Sequence, residues 1–305
     1  MSVSPPVILP PPSPVQMDVA RLIDSSRPRP VFRYTGQLFI LAIITLLMSL
    51  LLPLQTGTRL AVQFFSLMIL LGTSGFISWL SRAHRNENQH LDTIEDLLSL
   101  KRPAEAAPRL EWLMSRPMRS MQNRLRAMML LAAALGRQHR YEEVLTIDDE
   151  LIDHEGIAGP AAVIVKLGRA LAMLHADRLY DADCAINELR RTIDRGPPNI
   201  APDPLPSAAL RLVEIYRDVK TGHDAEAIEH FRQNRALITQ GLAHRAGEAY
   251  ALVAYAYHRL GMSADATDAM TAATTLQPAA DLLRTYPELR PLLDVYPPAH
   301  APQRR

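Results

Sequence analysis

Histidine and carboxylate residues are the first candidates for chemistry in this 305-residue sequence. Glu226 and His230 lie four residues apart, a spacing that places two metal ligands on one face of a helix. One carboxylate and one imidazole do not complete a tetrahedral zinc site, and the H-E-x-x-H sequence of zinc hydrolases does not occur. A solvated pair on a helix surface is the favoured interpretation. We therefore predict no metal and no cofactor.

The other reactive groups predict no catalytic residues. The sequence contains no G-x-x-x-x-G-K-[ST] or G-x-G-x-x-G phosphate loop and no G-x-S-x-G nucleophile turn. Cys184 stands beside Ala185 and Ile186 in an apolar helical pattern, which predicts a small core residue. The acidic run 148–150 is predicted to be a solvated face, because consecutive helical residues point in different directions. We predict that the protein is not an enzyme.

Charge and cysteine content narrow the class of partner. The 33 basic and 32 acidic residues give a net charge of +1, which argues against nucleic-acid binding. The single cysteine excludes an internal disulfide and a thiolate zinc site. Nearly all basic residues are arginine, a bias typical of a bacterial genome rich in G+C.

Two apolar segments predict a membrane hairpin over residues 35–82, with helices at about 37–55 and 60–80. The first segment reads LFILAIITLLMSLLLPL and the second reads LAVQFFSLMILLGTSGFISWL, and neither contains a charge. A membrane helix needs about 20 apolar residues, with about 17 as the lower limit. Two buried helices of a soluble domain would normally keep a polar stripe, which both segments lack.

The charges around the hairpin predict its orientation. Arginines precede the first segment and follow the second, whereas the link between them contains Arg59 alone. Because basic residues stay on the cytoplasmic side, we predict a multi-pass protein of the cell inner membrane with both termini in the cytoplasm. The spans contain no ionisable residue, which argues against a transporter.

Both ends of the chain are rich in proline. Residues 1–34 are predicted to be a disordered cytoplasmic tail, with docking into an aromatic-lined groove as the alternative. Within this tail, the segment 15–24 is compatible with a short helix. Residues 291–305 are predicted to be a second disordered tail, although Leu289 to Val295 could instead cover the last repeat.

Residues 86–290 show apolar residues at helical spacing and predict about five helix pairs. A small residue occurs early in each second helix, with spacings of 38, 41, 42 and 39 residues: Ala106, Val144, Ala185, Ala227 and Ala266. A period near 40 residues indicates an α-solenoid, in which each pair buries its apolar face against its neighbours.

The last pair resembles the tetratricopeptide repeat (TPR) family. From Ala249 the sequence reads AYALVAYAYHRLGMSADATDAMTAATTLQP, in which Ala254, Tyr257, Gly261 and Pro278 occupy the spacing of that repeat. The other pairs match less well and depart from its Gly and Pro positions.

The resemblance implies a concave groove that binds a peptide and is lined by the first helix of each pair. Carried over by position, the resemblance selects seven residues for this groove: Arg126, Met129, Arg137, Glu248, Tyr255, His258 and Arg259. Arg137 and Arg259 fall at equivalent positions, which suggests an acidic or carboxylate-bearing peptide. The family's Lys/Asn pattern for binding a carboxylate is absent from this sequence, and the favoured alternative is that these seven residues are ordinary exposed side chains.

These observations predict an all-α protein with a transmembrane hairpin followed by a TPR-like α-solenoid. The expected function is a membrane-anchored interaction scaffold or assembly adaptor that presents its groove to a cytoplasmic protein or peptide, with the lipid bilayer bound through the two helices. One alternative is a subunit of a membrane complex that acts mainly through its hairpin. The other is a membrane-associated hydrolase with an unrecognised site.

Overall fold

The computed structural model describes residues 17–28, 40, 43–44, 47–48, 56–154, 156–157, 159–194 and 204–296. Every regular element within these ranges is a helix, which confirms the predicted all-α class. The chain divides into two compact units, Met1–Ala127 and Met128–Arg305. Each unit is described by itself.

The first unit is built around one long helix. Its elements are α1 (Val19–Ser25), α2 (Thr56–Ser99), α3 (Pro103–Met114) and the beginning of α4 (Met121–Gly136). The C-terminal part of α2 packs against α3 because both helices present apolar residues every three to four positions. Leu91 and Ile94 of α2 and Leu110 and Leu113 of α3 are buried in this core.

The second unit contains the rest of α4 and successive helix pairs. Its helices are α5 (Tyr141–Asp149), α6 (Pro160–His175), α7 (Leu179–Asp194), α8 (Pro204–Thr221), α9 (Asp224–Leu242), α10 (Ala246–Arg259), α11 (Ser263–Leu276), α12 (Ala279–Thr285) and α13 (Arg290–Val295). A π-helical turn, Glu150–His154, follows α5, and short 3₁₀ turns precede α10 and α13. Each first helix packs against its own second helix and against the first helix of the next pair, as α6, α8 and α10 show.

One type of turn recurs between the two helices of a pair. Within the described ranges a residue with φ between 58° and 82° occupies the turn in five places: Lys101, His139, Asp177, Gly222 and Gly261. The next backbone N–H donates back to a carbonyl five residues earlier, as in Arg178 to Met173 at 2.9 Å and Met262 to Tyr257 at 2.9 Å. This bonding satisfies carbonyls that the helix end would otherwise leave open.

The structure contradicts the predicted location in the inner membrane. Helix α2 contains the second apolar segment, but it continues through charged residues to Ser99, and its exposed side chains include Phe64 and Leu71. Across the ranges listed above, no helix combines the length and the apolarity that a bilayer crossing requires. The prediction of a multi-pass membrane protein with both termini in the cytoplasm is therefore wrong. Most of the predicted first span, about 37–55, lies outside the described residues.

Short helices lie inside both predicted tails, at the places where the sequence allowed them, 15–24 and 289–295. Helix α1 lies inside the predicted tail 1–34, and its first turn is capped by Asp18 Oδ1, which accepts from the backbone N–H of Arg21 at 3.1 Å. Helix α13 lies largely inside the predicted tail 291–305. Residues 1–16, 29–34 and 297–305 lie outside the described part of the chain.

Candidate functional site

A short segment of the second unit lies against the helices that begin each pair. This Tyr-Pro segment, Ala279–Tyr296, comprises α12, the 3₁₀ turn Pro287–Leu289 and α13, and it packs against α10. Four of its side chains are at most 1% exposed: Leu282, Tyr286, Leu289 and Leu292. The surface beneath it, formed by α6, α8 and α10, is called the binding face below.

Tyr286 joins all three helices of the binding face. Its ring lies 5.6 Å from the ring of His175 at the end of α6 and 4.9 Å from the ring of Tyr216 on α8, the latter nearly perpendicular. Its hydroxyl donates to Glu248 Oε2 on α10 at 3.0 Å. Glu248 also accepts from Arg245 Nε at 2.9 Å, so this buried carboxylate is shared between the face and the segment.

Glu288 makes the second polar contact of the segment. The hydroxyl of Tyr216 lies 2.7 Å from Glu288 Oε1 and 3.0 Å from His175 Nδ1. Because a carboxylate only accepts and a phenol has one proton, Tyr216 donates to Glu288 and the Nδ1–H of His175 donates to Tyr216. The ammonium of Lys220 lies 3.9 Å from the same carboxylate oxygen, which favours an acidic side chain at this place.

The ring of His175 is held between tyrosines. It stacks on Tyr141 with a centroid distance of 4.7 Å and an interplanar angle of 8°. Burial, and then the positive charge of Lys220, lower the pKa of His175 to about 4. Burial, and then the charge of Glu288, raise the pKa of Tyr141 to about 12. The imidazole and this phenol are therefore both neutral at pH 7 and act as hydrogen-bonding groups.

Burial has the same effect on the other two phenols of this cluster. It is the main cause that raises the pKa of Tyr216 and of Tyr286, and the neighbouring carboxylates Glu288 and Glu248 raise them further. Both hydroxyls thus keep their protons and remain donors to carboxylates.

The predicted groove residues on α10 fall on or beside this face. Glu248 binds Tyr286, as described above, and His258 Nδ1 lies 3.5 Å from the hydroxyl of Tyr296 at the end of the segment. Arg259 instead binds the preceding pair, with Nε 3.0 Å from Asp224 Oδ2 and Nη1 3.0 Å from the carbonyl of Val219. Tyr255 lies beneath the guanidinium of Arg259, 5.6 Å from its ring centre.

The predicted groove residues on α4 are divided between the two units. Arg126 belongs to the first unit and forms ion pairs with Asp92, at 2.8 Å, and with Glu95. Met129 is half-buried in the second unit. Arg137 also belongs to the second unit, and partial burial together with the positive charge of Arg245 lowers its pKa. Arg137 therefore lies near the Arg245–Glu248 pair.

Two other sequence interpretations, those of Cys184 and of the Glu226–His230 pair, meet a different structure. Cys184 is exposed, because Ala182, Ala185, Ile186 and Leu189 form the buried stripe of α7 and position 184 falls outside it. His230 Nδ1 pairs with Asp218 Oδ2 at 2.8 Å and not with Glu226. Over the described ranges no group of three or more His, Cys, Asp or Glu residues is arranged to hold a metal ion.

Only part of the acidic run 148–150 is solvated, because Asp148 is buried while Asp149 and Glu150 are partly exposed. Asp148 is only 3% exposed and lies at the contact of α5 with α6. Its Oδ2 is 3.7 Å from the position that a Cβ on Gly168 would occupy. Burial, and then the charge of Asp149, raise the pKa of Asp148 to about 8, although Arg169 acts in the opposite direction. This carboxyl group is therefore largely protonated at neutral pH.

Sequence reasoning missed the residues that form the centre of the face. Tyr141, His175 and Tyr216 belong to three different helix pairs, and their meeting depends on how the pairs stack. The sequence does carry a signal for the segment that covers these residues, because the dipeptide Tyr-Pro occurs at 286–287 and again at 296–297, ten residues later. The hydroxyl of each of these tyrosines contacts a residue of α10, Glu248 for Tyr286 and His258 for Tyr296.

No protein-family model, no curated protein and no solved structure matches this chain.

Proposed function

We propose that the second unit is a protein-binding module that holds a short segment of a partner protein on the face of α6, α8 and α10. In this role the protein serves as an interaction scaffold or assembly adaptor. The observation that carries the proposal is the Tyr-Pro segment, because it lies on that face through specific side-chain contacts from Tyr286 and Glu288.

The form of the segment supports this reading. Its helical pieces contain seven, three and six residues, which is too short for stable isolated helices in water. The face therefore supplies the order of the segment, as a receptor does for a bound peptide.

The architecture of the pairs also supports a TPR-like groove. In the family named above, the first helices line the peptide groove, and here the segment contacts three consecutive first helices. The turn with a left-handed residue recurs at intervals of 38, 38, 45 and 39 residues through the described part of the chain. Such regular stacking produces an extended binding surface.

A photo-crosslinking amino acid tests the proposal in the full chain. Position 255 is half-buried on α10 beside the face, whereas Tyr180 at the start of α7 is 81% exposed and serves as the control position. We expect a crosslinker at 255 to trap a defined partner in cells, and we expect Glu248→Ala to reduce that product. Identical products from both positions, or a product that is unchanged by Glu248→Ala, would contradict the proposal.

A further inference from the structure

Two features of the Tyr-Pro segment define the kind of ligand that the binding face accepts. The aromatic site between His175 and Tyr216 holds a tyrosine ring, and Glu248 accepts a hydrogen bond from its hydroxyl at 3.0 Å. Two residues further on, the hydroxyl of Tyr216 and the ammonium of Lys220 receive a carboxylate. The binding face thus fits a tyrosine that is followed, two residues later, by an acidic residue.

The residue between them suits the same geometry. Pro287 is exposed and stands at the first position of a 3₁₀ turn, where its fixed φ angle is compatible and its missing N–H costs nothing. This turn brings Tyr286 and Glu288 onto the face together. A ligand with the element Tyr-Pro-Glu would reproduce all three features.

A second tyrosine contact extends the recognised element. Tyr296 lies ten residues after Tyr286, and its hydroxyl and ring face His258 on the same helix, α10, with a ring distance of 5.7 Å. The two contacts lie near opposite ends of α10, since Glu248 is in its first turn and His258 in its last. The ligand therefore lies along α10.

The Tyr-Pro segment is joined to α11 by a short extended step. Gln277 has φ −145° and ψ 136°, and Pro278 has φ −56° and ψ 137°, so no helix continues from α11 into α12. Because α11 ends before this step, rotation about ψ of Gln277 or Pro278 would move the segment without unwinding α11. The segment thus stays linked to α11 through Gln277 and Pro278, but the two do not form one continuous helix.

We infer that the Tyr-Pro segment is a built-in competitor, and that the partner carries a Tyr-Pro-Glu element which replaces Tyr286, Pro287 and Glu288 on the binding face. This inference rests on the proposed function and adds the chemistry of the ligand. Because the segment is tethered, its effective concentration is high, and the free chain stays closed until a competing element of similar or better fit is present.

The test uses the full chain and a fluorescent synthetic peptide with the sequence of residues 281–296. In one variant Tyr286→Ala and Glu288→Ala are combined, which weakens the tethered segment and leaves the face intact. We expect this variant to bind the peptide roughly tenfold or more tightly than the wild type, because the tethered competitor is weakened. A peptide that carries the same two alanines should bind to neither protein.

Two controls make the outcome decisive. Arg290→Ala changes an exposed residue of the segment and should leave peptide binding at the wild-type level. Glu288→Gln removes one charge with little change in shape and should give an intermediate gain. Hydrogen exchange of α6, α8 and α10 reports whether each variant keeps its fold.

Three outcomes would overturn the inference. One is a folded double variant that fails to bind the peptide, and another is equal binding of the normal and alanine peptides. The third is loss of protection in α8 and α10 in both the double variant and Glu288→Gln, because the segment would then be an integral part of the core. If position 255 still traps a partner in these cases, the proposed binding function stands and only the ligand chemistry is wrong.

Discussion

Each unit holds one short segment, but the two units hold them by different chemistry. In the first unit, Arg124 is fully buried and donates to the backbone carbonyl of Ile23 and to Ser26 Oγ, both at 3.2 Å. Ser25 Oγ donates to the carbonyl of Met114 at 2.8 Å, and the carbonyl of Ser26 accepts from the N–H of Met118 at 3.1 Å. In the second unit the corresponding contacts join side chain to side chain.

This difference separates a structural attachment from a recognition surface. The carbonyls of Ile23 and Ser26 would be present in any sequence, so these two contacts depend on shape and burial and not on a particular peptide, whereas the hydroxyls of Ser25 and Ser26 add two contacts that need serine. A buried donor that loses its acceptor is costly, which favours permanent attachment of α1. The tyrosine, histidine and glutamate contacts of the second unit depend on side-chain identity and on protonation, and such contacts can discriminate between ligands.

The largest effect on stability is expected at Arg124, which holds α1. Arg124→Met removes the donors to the last turn of α1 while it keeps a long apolar side chain. We expect the free energy of unfolding to fall by about 3 kcal/mol, because a buried carbonyl and hydroxyl lose their partner. Urea unfolding measures this change, and exposed Arg109→Met is the control. A loss below about 0.5 kcal/mol would mean that α1 is not held by this residue.

A second prediction concerns the buried carboxyl group of Asp148 in the second unit. Its pKa rises from 3.8 to about 8 on folding, so between pH 4 and pH 8 the unfolded chain releases a proton that the folded chain keeps. Stability therefore decreases as the pH rises through this range. We expect Asp148→Asn to stabilise the protein by about 2 kcal/mol at pH 8 and by much less at pH 5. Unfolding curves at both pH values check this, and an equal effect at each would contradict it.

The pattern of apolar residues was sufficient to predict much of the second unit. The five small residues predicted to lie early in second helices all fall in such helices, α3, α5, α7, α9 and α11: Ala106, Val144, Ala185, Ala227 and Ala266. Helical periodicity and the proline and glycine positions carry this information locally, because each pair closes within about 30 residues of sequence.

The site was predicted less well, for a physical reason. Position in the repeat identified Glu248 and His258 on α10, but it gave equal weight to Arg259, whose guanidinium binds the preceding pair instead. The meeting of His175 with Tyr216 depends on the stacking of successive pairs, which no local pattern encodes. The burial of Asp148 at the contact of α5 with α6 has the same origin.

Lowering the pH is expected to affect the two segments differently, because His175, which contacts the second segment, titrates in the accessible range. The pKa of His175 falls from 6.5 to about 4 on folding, so the stability that depends on neutral His175 is complete above pH 6.5 and is lost as the pH falls towards 4. Between pH 7 and pH 5 we expect a loss of about 1 kcal/mol for a partly exposed group. The arginine and serine groups that hold α1 do not change charge there.

Hydrogen exchange corrected for intrinsic rates measures the effect of pH on each segment separately. The Asp148→Asn background is preferable, since Asp148 gives the opposite slope with pH. We expect residues 279–296 to lose protection at pH 5 while residues 19–25 do not. An equal loss in both segments would remove the distinction drawn between them.

The smallest effect among the side-chain contacts is expected for Tyr286→Phe. The change removes one hydroxyl, but Glu248 keeps its contacts with Arg245, so no carboxylate is left without a partner. We expect a loss of about 1 kcal/mol, measured by urea unfolding. Tyr216→Phe should cost more, because it removes the hydrogen bonds of both His175 and Glu288 to the same hydroxyl. The reverse order would show that Glu248 matters more than Glu288 for holding the segment.

The recurring turn has a consequence for protein engineering. Glycine already occupies two of its five described occurrences, whereas Lys101, His139 and Asp177 hold φ angles of 59°, 61° and 58° with a Cβ in place. A left-handed conformation costs an ordinary residue about 1–2 kcal/mol. Glycine avoids this cost, but part of the gain in stability is lost because glycine has greater conformational freedom in the unfolded chain. We expect Lys101→Gly to increase the free energy of unfolding by about 0.5 kcal/mol and therefore to raise the melting temperature slightly. Lys101→Gly is the turn substitution that keeps the contacts of the binding face, because His139 lies 2.8 Å from the Tyr141 hydroxyl and Asp177 accepts from Lys220 at 2.6 Å.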